Sequence, residues 1–274
     1  MPNSPASRAT DHASRYPLVT RTLILALVVF WFVPSAAAEL DAGGRFPVLE
    51  IIDGDTLVLG DHSQVRLVGI QAPKLPLGRP GFKTWPLARE AKQVLSELAL
   101  DKMVSLFHGG RRQDRHRRRL AHLYLDDGTW LQGEMILRGF ARVYSFLDNR
   151  ALASELLEME EQSRKARRGI WGLPYYHVRP AEPDAVKLGR FELVVGKITN
   201  AAIVRGRAYL NFGTDWRTDV TASVAPKHLG LFKREGYDLV ALTGHQVRVR
   251  GWVDKWNGPM IRVTHPEQIE LLDD

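Results

Sequence analysis

IIDGDTLVLGDHSQVRLVGIQAPK, residues 51–74, is the stretch that decides the fold of this chain. Asp53 and Asp55 flank Gly54 in a tight turn between two apolar runs. Leu57, Val58 and Leu59, then Val65, Leu67 and Gly69, follow with strand-like alternation, and Arg66 falls on the face opposite its apolar neighbours. Pro73 ends the segment. A turn presenting carboxylates, one hairpin away from a guanidinium, has the groups a metal-dependent phosphodiesterase uses, because hard cations take oxygen ligands and arginine clamps phosphate. The plainer reading of the same residues is a hairpin with Asp-Gly turn chemistry and one exposed arginine.

Working outward, residues 45–59 read as two strands joined at the Asp53-Gly54 turn, and 64–70 as a third. The Pro/Gly-rich segment from Lys74 to Pro86 excludes a regular element and belongs on the surface beside the acidic turn. Pro86 then starts a helix whose apolar face is Ala88, Ala91, Val94, Leu95, Leu98 and Ala99. A strand at 103–107 leads into residues 111–119, where six arginines and one histidine occur in nine positions. A strand at 120–125, a short helix at 130–138 ended by Gly139, and a longer helix at 149–168 complete this part. The longer helix has acids toward its start and Arg164, Lys165, Arg167 and Arg168 near its end, as the helix dipole favours.

The chain has 274 residues, enough for two ordinary domains that each bury a core. A net charge of +7 favours polyanionic partners. There are no cysteines, which excludes disulfides, thiol redox chemistry and thiolate metal sites. Arg8, Arg15 and Arg21 precede an apolar run at 23–33 and the small residues Ala36 and Ala38, the order of a secretory signal. Residues 1–38 are therefore expected to be removed, leaving Glu39 at the start and +5 of the +7, since they carry three arginines and one aspartate. The expected location is periplasmic or secreted, with no stable membrane span once the signal is cleaved; an uncleaved signal acting as an anchor is the alternative.

Residues 174–189 contain Pro174, Pro180 and Pro183 and read as a linker. Beyond it, five strands (190–199, 207–212, 220–223, 246–253 and 260–263) and one helix (226–235) fit a small closed barrel. Tyr209, Phe212 and Trp252 read as core, whereas Trp216 and Trp256, among polar neighbours, are surface candidates for stacking on bases. From residue 181 onward 13 basic residues meet 12 acidic ones, so this half is nearly neutral. The histidines carry no metal-ligand spacing.

Four ordered motifs carry a resemblance: IDGDT at 52–56, RLVGI at 66–70, DRHRRRLA at 114–121 and RRGIW at 167–171. Over about residues 45–172 the chain resembles the staphylococcal nuclease (thermonuclease-like) family. The resemblance implies an OB-fold five-stranded barrel packed on three helices. With the second, OB-like barrel, the whole is a mainly β, α+β protein: signal 1–38, nuclease-like domain 39–173, linker 174–189 and barrel 190–274. A chain ended at Trp171 is then expected to fold alone.

The resemblance also implies a site. In active members Ca2+ sits between two aspartates and a backbone carbonyl, a glutamate organises the attacking water, and two arginines hold phosphate. Position by position, the first aspartate is Asp55 and the arginines are Arg66 and Arg118. The second aspartate falls on Gln71, the carbonyl donor on Ala72 and the glutamate on Lys74. An ammonium at that position cannot activate water while protonated and repels a nearby Ca2+. Asp53 is a substitute metal ligand at most. Arg111, Arg112, Arg115, Arg117, Arg119 and Lys74, with Trp216 and Trp256, are the expected contacts to nucleic acid, single-stranded DNA or RNA. Three functions fit these residues: a binding protein with impaired or lost nuclease activity, an active Ca2+-dependent nuclease with a rearranged site, and an envelope module that binds a protein partner.

Overall fold

Period-two burial along residues 41–71 coils the first sheet around an apolar interior. The computed structural model describes residues 40–272, so the expected signal sequence lies outside the described residues. Strands β1 (Asp41–Asp53), β2 (Thr56–Leu59), β3 (Gln64–Leu67), β5 (Met103–His108) and β6 (Arg119–Leu125) close into a barrel in the order β1-β2-β3-β6-β5, while β4 (Ile70–Gln71) pairs with β7 (Arg142–Val143). All pairings in the barrel are antiparallel except β3 with β6, which sets Arg66 beside Leu120. That parallel pair carries the two segments of the site to the same rim.

Three helices cover this barrel: α1 (Ala88–Ala99), α2 (Leu131–Leu137) and α3 (Ala153–Lys165). The helix expected from Pro86 begins at Ala88, because Leu87 takes a left-handed conformation (φ 63°) and packs with the cluster around Ile170 and Trp171. Gly139 ends α2 as expected. Its φ is +76°, and a Cβ there would stand 2.3 Å from the Arg168 carbonyl oxygen.

Residues 174–189 contain a single helical turn (Pro174–Tyr176) and the short strand β8 (Arg179–Pro180), which pairs with β9 (Phe191–Lys197). The C-terminal part is a curled eight-stranded sheet. Along it β10 (Asn200–Val204), β11 (Arg207–Asn211), β12 (Thr221–Val224), β14 (Gly258–Val263), β13 (Gln246–Trp256), β9 and β8 are neighbours, and β15 (Ile269–Leu271) joins β13. Helix α4 (Pro226–Arg234) follows β12. Phe212 is in the core, but Tyr209 and Trp252 are not: Tyr209 is half-buried on the face opposite the core residues Ala208 and Leu210, and Trp252 is 45% exposed and donates its indole N–H to the Tyr144 hydroxyl at 2.8 Å. A partly exposed indole finds a polar partner there that a core position would deny it.

Each sheet has its own apolar core, and a third cluster joins them: Ile170, Trp171 and Tyr176 pack with Phe191 and Leu193. Buried ions also cross the boundary. Arg250 of β13 and Glu160 of α3, 1% and 0% exposed, pair at 2.7 Å. Residues 40–272 thus belong to one compact unit. Among the described residues, no helix is long and apolar enough to cross a membrane.

Candidate functional site

The acidic turn is set by close packing. Gly54 does not have a left-handed φ; a Cβ there would come within 2.7 Å of the Cβ atoms of Ala72 and Ala91. Only glycine lets the turn lie against α1 at this distance. The Asp55 backbone N–H donates to Asp53 Oδ1 at 3.0 Å, which fixes the Asp53 carboxylate. Both are buried, Asp55 completely.

Asp55 has no free oxygen face toward the rim. Its Oδ1 accepts from the Arg66 guanidinium and from Thr56 Oγ1 at 3.2 Å, and its Oδ2 accepts from the Ala72 backbone N–H at 2.7 Å. The Lys74 ammonium lies 2.6 Å from both Oδ1 and Oδ2 and 3.4 Å from Asp53 Oδ2. Burial alone would raise the Asp55 carboxyl, but Arg66 and Lys74 outweigh it and hold it well below the usual range. Asp53 goes the other way, raised by burial and then by the Asp55 charge, with Lys74 opposing. Burial pushes the Lys74 ammonium below its ordinary value while Asp55 pulls it back. Two carboxylates and two cations balance.

The family resemblance implies Ca2+ at Asp55, and the donor set here does not fit it. Lys74 Nζ bridges the two carboxylate oxygens that a cation would take, and the site holds no surplus negative charge to draw a divalent ion. The Gln71 oxygen is turned away: its Oε1 accepts from Arg142 Nε at 3.0 Å and Nη2 at 2.7 Å. Arg142 is buried and also donates to the Phe191 carbonyl at 3.1 Å, so Gln71 belongs to the link with the second sheet. Among the described residues, no group of three or more His, Asp or Glu could hold a metal ion.

Above this floor opens a cleft of about 800 Å3. Arg66, Lys74, Arg79, Arg111, Arg115 and Arg118 line it, against Asp53, Asp114 and Asp148. Six cations thus face three carboxylates along its lining, so its walls are predominantly basic. Arg118 is positioned by Asp114, whose Oδ2 accepts from Arg118 Nε at 2.8 Å. Of the predicted basic contacts, Arg112, Arg117 and Arg119 are not in the cleft. Arg112 pairs with Asp41 at 3.0 Å, Arg117 is an exposed left-handed turn residue, and Arg119 pairs with Asp61 at 2.7 Å beside the Phe46 ring. Trp216, in the turn between β11 and β12, and Trp256, at the end of β13, are also outside it.

Sequence reasoning missed Arg79, Arg142, Tyr144 and Phe146. Tyr144 and Phe146 form an edge-to-face pair (4.8 Å) on the cleft wall, an apolar surface beside the cations that suits a base or sugar. The one usable signal for Arg142 was its place between Ala141 and Val143 in an apolar run, which marks a buried guanidinium in need of a partner.

A small closed barrel covered by three helices, with a basic cleft at its rim, defines an OB-type protein of the nuclease-like class. The comparisons make this specific: the family model for staphylococcal nuclease homologues matches residues 64–172. Protein ParB of Escherichia coli is 30% identical over 161 residues, covering 55% of this chain and 82% of that protein. A Bacillus anthracis protein is 30% identical over 136 residues (46% of this chain, 60% of the relative). A probable staphylococcal-like nuclease of Oryza sativa subsp. japonica is 29% identical over 126 residues (46% and 33%). The chain belongs to the staphylococcal nuclease homologue family. It spans about three fifths and one third of the length of the Bacillus and Oryza relatives.

Proposed function

We propose that this is an exported member of the nuclease family that binds single-stranded nucleic acid in the basic cleft and has lost most or all phosphodiester hydrolysis. The observation that carries the reading is the Lys74 ammonium 2.6 Å from both oxygens of Asp55. A tethered monovalent cation stands where a divalent ion would polarise phosphate, and the same Lys74 occupies the position of the family's base. Arg66 and Arg118 remain to hold phosphate, and Tyr144 and Phe146 supply the apolar wall. The N-terminal signal pattern supports export to the periplasm or beyond.

The test is binding and cleavage of single-stranded DNA and RNA by residues 39–274, with Ca2+ or with EDTA. Arg66 and Lys74 are balanced by Asp53 and Asp55, and Arg111 and Arg118 pair with Asp148 and Asp114, which leaves about two net charges, on Arg79 and Arg115, to neutralise phosphates; log affinity should fall with log salt at a slope of roughly −1.4. Binding should be indifferent to EDTA, and no Ca2+-dependent cleavage should appear. Ca2+-dependent cleavage by the wild type that disappears in Asp55→Ala would show a live, rearranged metal site. Salt-independent failure to bind either polymer would move the reading to a protein partner.

A further inference from the structure

The second sheet carries a groove that the cleft reading leaves unexplained. Tyr209 of β11, Ser223 of β12 and Arg262 of β14 are direct cross-strand neighbours, so their side chains share one face, and Arg207 joins it two positions from Tyr209. Ala208, Leu210, Ala222 and Ile261 alternate with them and face the core, so the groove is on the outer face. Its volume is about 460 Å3, within the range of small-ligand sites. Lys227 and His228 close one end from the first turn of α4, and Trp256 stands at the other, 61% exposed.

Three features point to an anion carrying an aromatic group. First, no carboxylate lines the groove, although the chain from residue 181 onward is nearly balanced in charge. Among the described residues Arg207 and Lys227 have no acidic partner, and Arg262 has only the exposed Asp254 at 3.3 Å. Second, Lys227 and His228 occupy the positive end of α4, with no acid in its first turn and no side-chain cap. The helix dipole disfavours a cation there, whereas a bound anion would be favoured by dipole and lysine together. Third, Tyr209 and Trp256 put two aromatic side chains on the lining of the same groove, the residue type on which bases stack.

We propose that this groove is a second binding surface for single-stranded nucleic acid. Phosphates are held by Arg207, Lys227 and Arg262, and bases stack on Trp256 and Tyr209. The proposal rests on the nucleic-acid reading of the first cleft and gives it a second, separately removable point of attachment.

The experiment measures binding of a labelled oligothymidylate to residues 39–274, with inorganic polyphosphate and poly-glutamate as competitors. Arg115→Ala/Arg118→Ala removes cations from the cleft, and Lys227→Ala and Trp256→Ala alter the groove at exposed side chains. Each groove variant should weaken binding about tenfold, with Lys227→Ala also flattening the salt slope by about 0.7 and Trp256→Phe retaining most affinity. Polyphosphate should compete less well than unlabelled oligothymidylate, and that preference should vanish in Trp256→Ala. Wild-type affinity in both groove variants, alongside a loss in the cleft variant, overturns the groove and leaves the cleft standing. Loss in the groove variants alone removes the cleft reading instead. Polyphosphate or poly-glutamate competing as well as the oligonucleotide overturns the assignment to nucleic acid.

Discussion

Replacing Arg250 tests whether the two sheets are one folding unit. Its guanidinium is 1% exposed and donates to Glu160 Oε2 at 2.7 Å, Glu160 Oε1 at 3.2 Å and Glu270 Oε1 at 2.5 Å. Glu160 is completely buried, and its remaining contacts are the Val143 backbone N–H at 2.6 Å and Arg164 at 3.7 Å. Arg250→Met keeps the bulk of the stem and strips the charge, leaving a buried carboxylate without its principal partner. Breaking a pair of this kind costs about 3–5 kcal/mol. For a unit of this size 1 kcal/mol moves Tm by about 2–4 °C, so a fall of roughly 6–20 °C is expected in calorimetry or circular dichroism. Adding Glu160→Leu removes the orphaned charge and should restore more than half of that loss, with about 1 kcal/mol remaining for the lost Val143 hydrogen bond. Both variants and the wild type should unfold in a single transition, because the cluster of Ile170, Trp171 and Tyr176 with Phe191 and Leu193 still joins the two sheets when the pair is gone. A fall of less than about 1 kcal/mol in Arg250→Met, additive losses in the double variant, or two separate transitions would refute the reasoning.

Ending the chain at Trp171 removes Arg250, the Phe191 carbonyl that accepts from Arg142, and the Phe191 and Leu193 side chains packed on Trp171; contrary to the expectation from sequence that it folds alone, such a fragment should lose cooperative unfolding, and a sharp transition near the full-length Tm would count against shared burial. Gln71→Asp/Lys74→Glu should create an affinity for Ca2+ that the wild type lacks, read as a Ca2+-dependent rise in Tm of about 3 kcal/mol equivalent at a hundredfold excess over Kd, whereas equal responses would show that Lys74 does not exclude the ion. His122 and His265 are both 1% exposed, and burial lowers each imidazole from 6.5 to about 4. Each remains neutral when folded but takes a proton when unfolded, so the stability is fully present above pH 6.5 and is lost as pH falls toward 4, by on the order of 3 kcal/mol each. Tm should fall across that window, and His122→Phe/His265→Asn should flatten the fall; an unchanged profile in the variant would assign it to other groups. N-terminal sequencing of the exported protein should begin at Glu39, and a longer N-terminus would support the anchored form.

Much of the first barrel was legible in the order of residues. Alternation at 57–59 and 64–67 predicts faces, and the faces are those observed: Leu57, Leu59, Val65 and Leu67 are completely buried. The helical stripe from Ala88 to Ala99 and the stop at Gly139 are local signals, set by period and by φ, and they hold within a few residues. The left-handed Leu87 entry is tertiary, because packing against the Ile170 and Trp171 cluster decides where the helix starts. The basic run identified a cationic region, but not which side chains turn inward: Arg111, Arg115 and Arg118 line the cleft, while Arg112 and Arg119 bind acids elsewhere on the surface.

By itself the sequence determined the residue types at the site: Asp55, Arg66 and Arg118 present, Gln71 and Lys74 where acids would be required. Only the tertiary structure decided what those residues do to one another. Lys74 is 19 positions from Asp55 and Gln71 is 71 from Arg142, and barrel closure together with the β4–β7 pairing brings each pair into contact. The groove of the second sheet is similarly assembled from three strands, a helix turn and the tip of a hairpin. Periodicity fixes the face of an element on which a side chain lies, but the partner across that face depends on register and closure, which long-range burial of apolar surface selects.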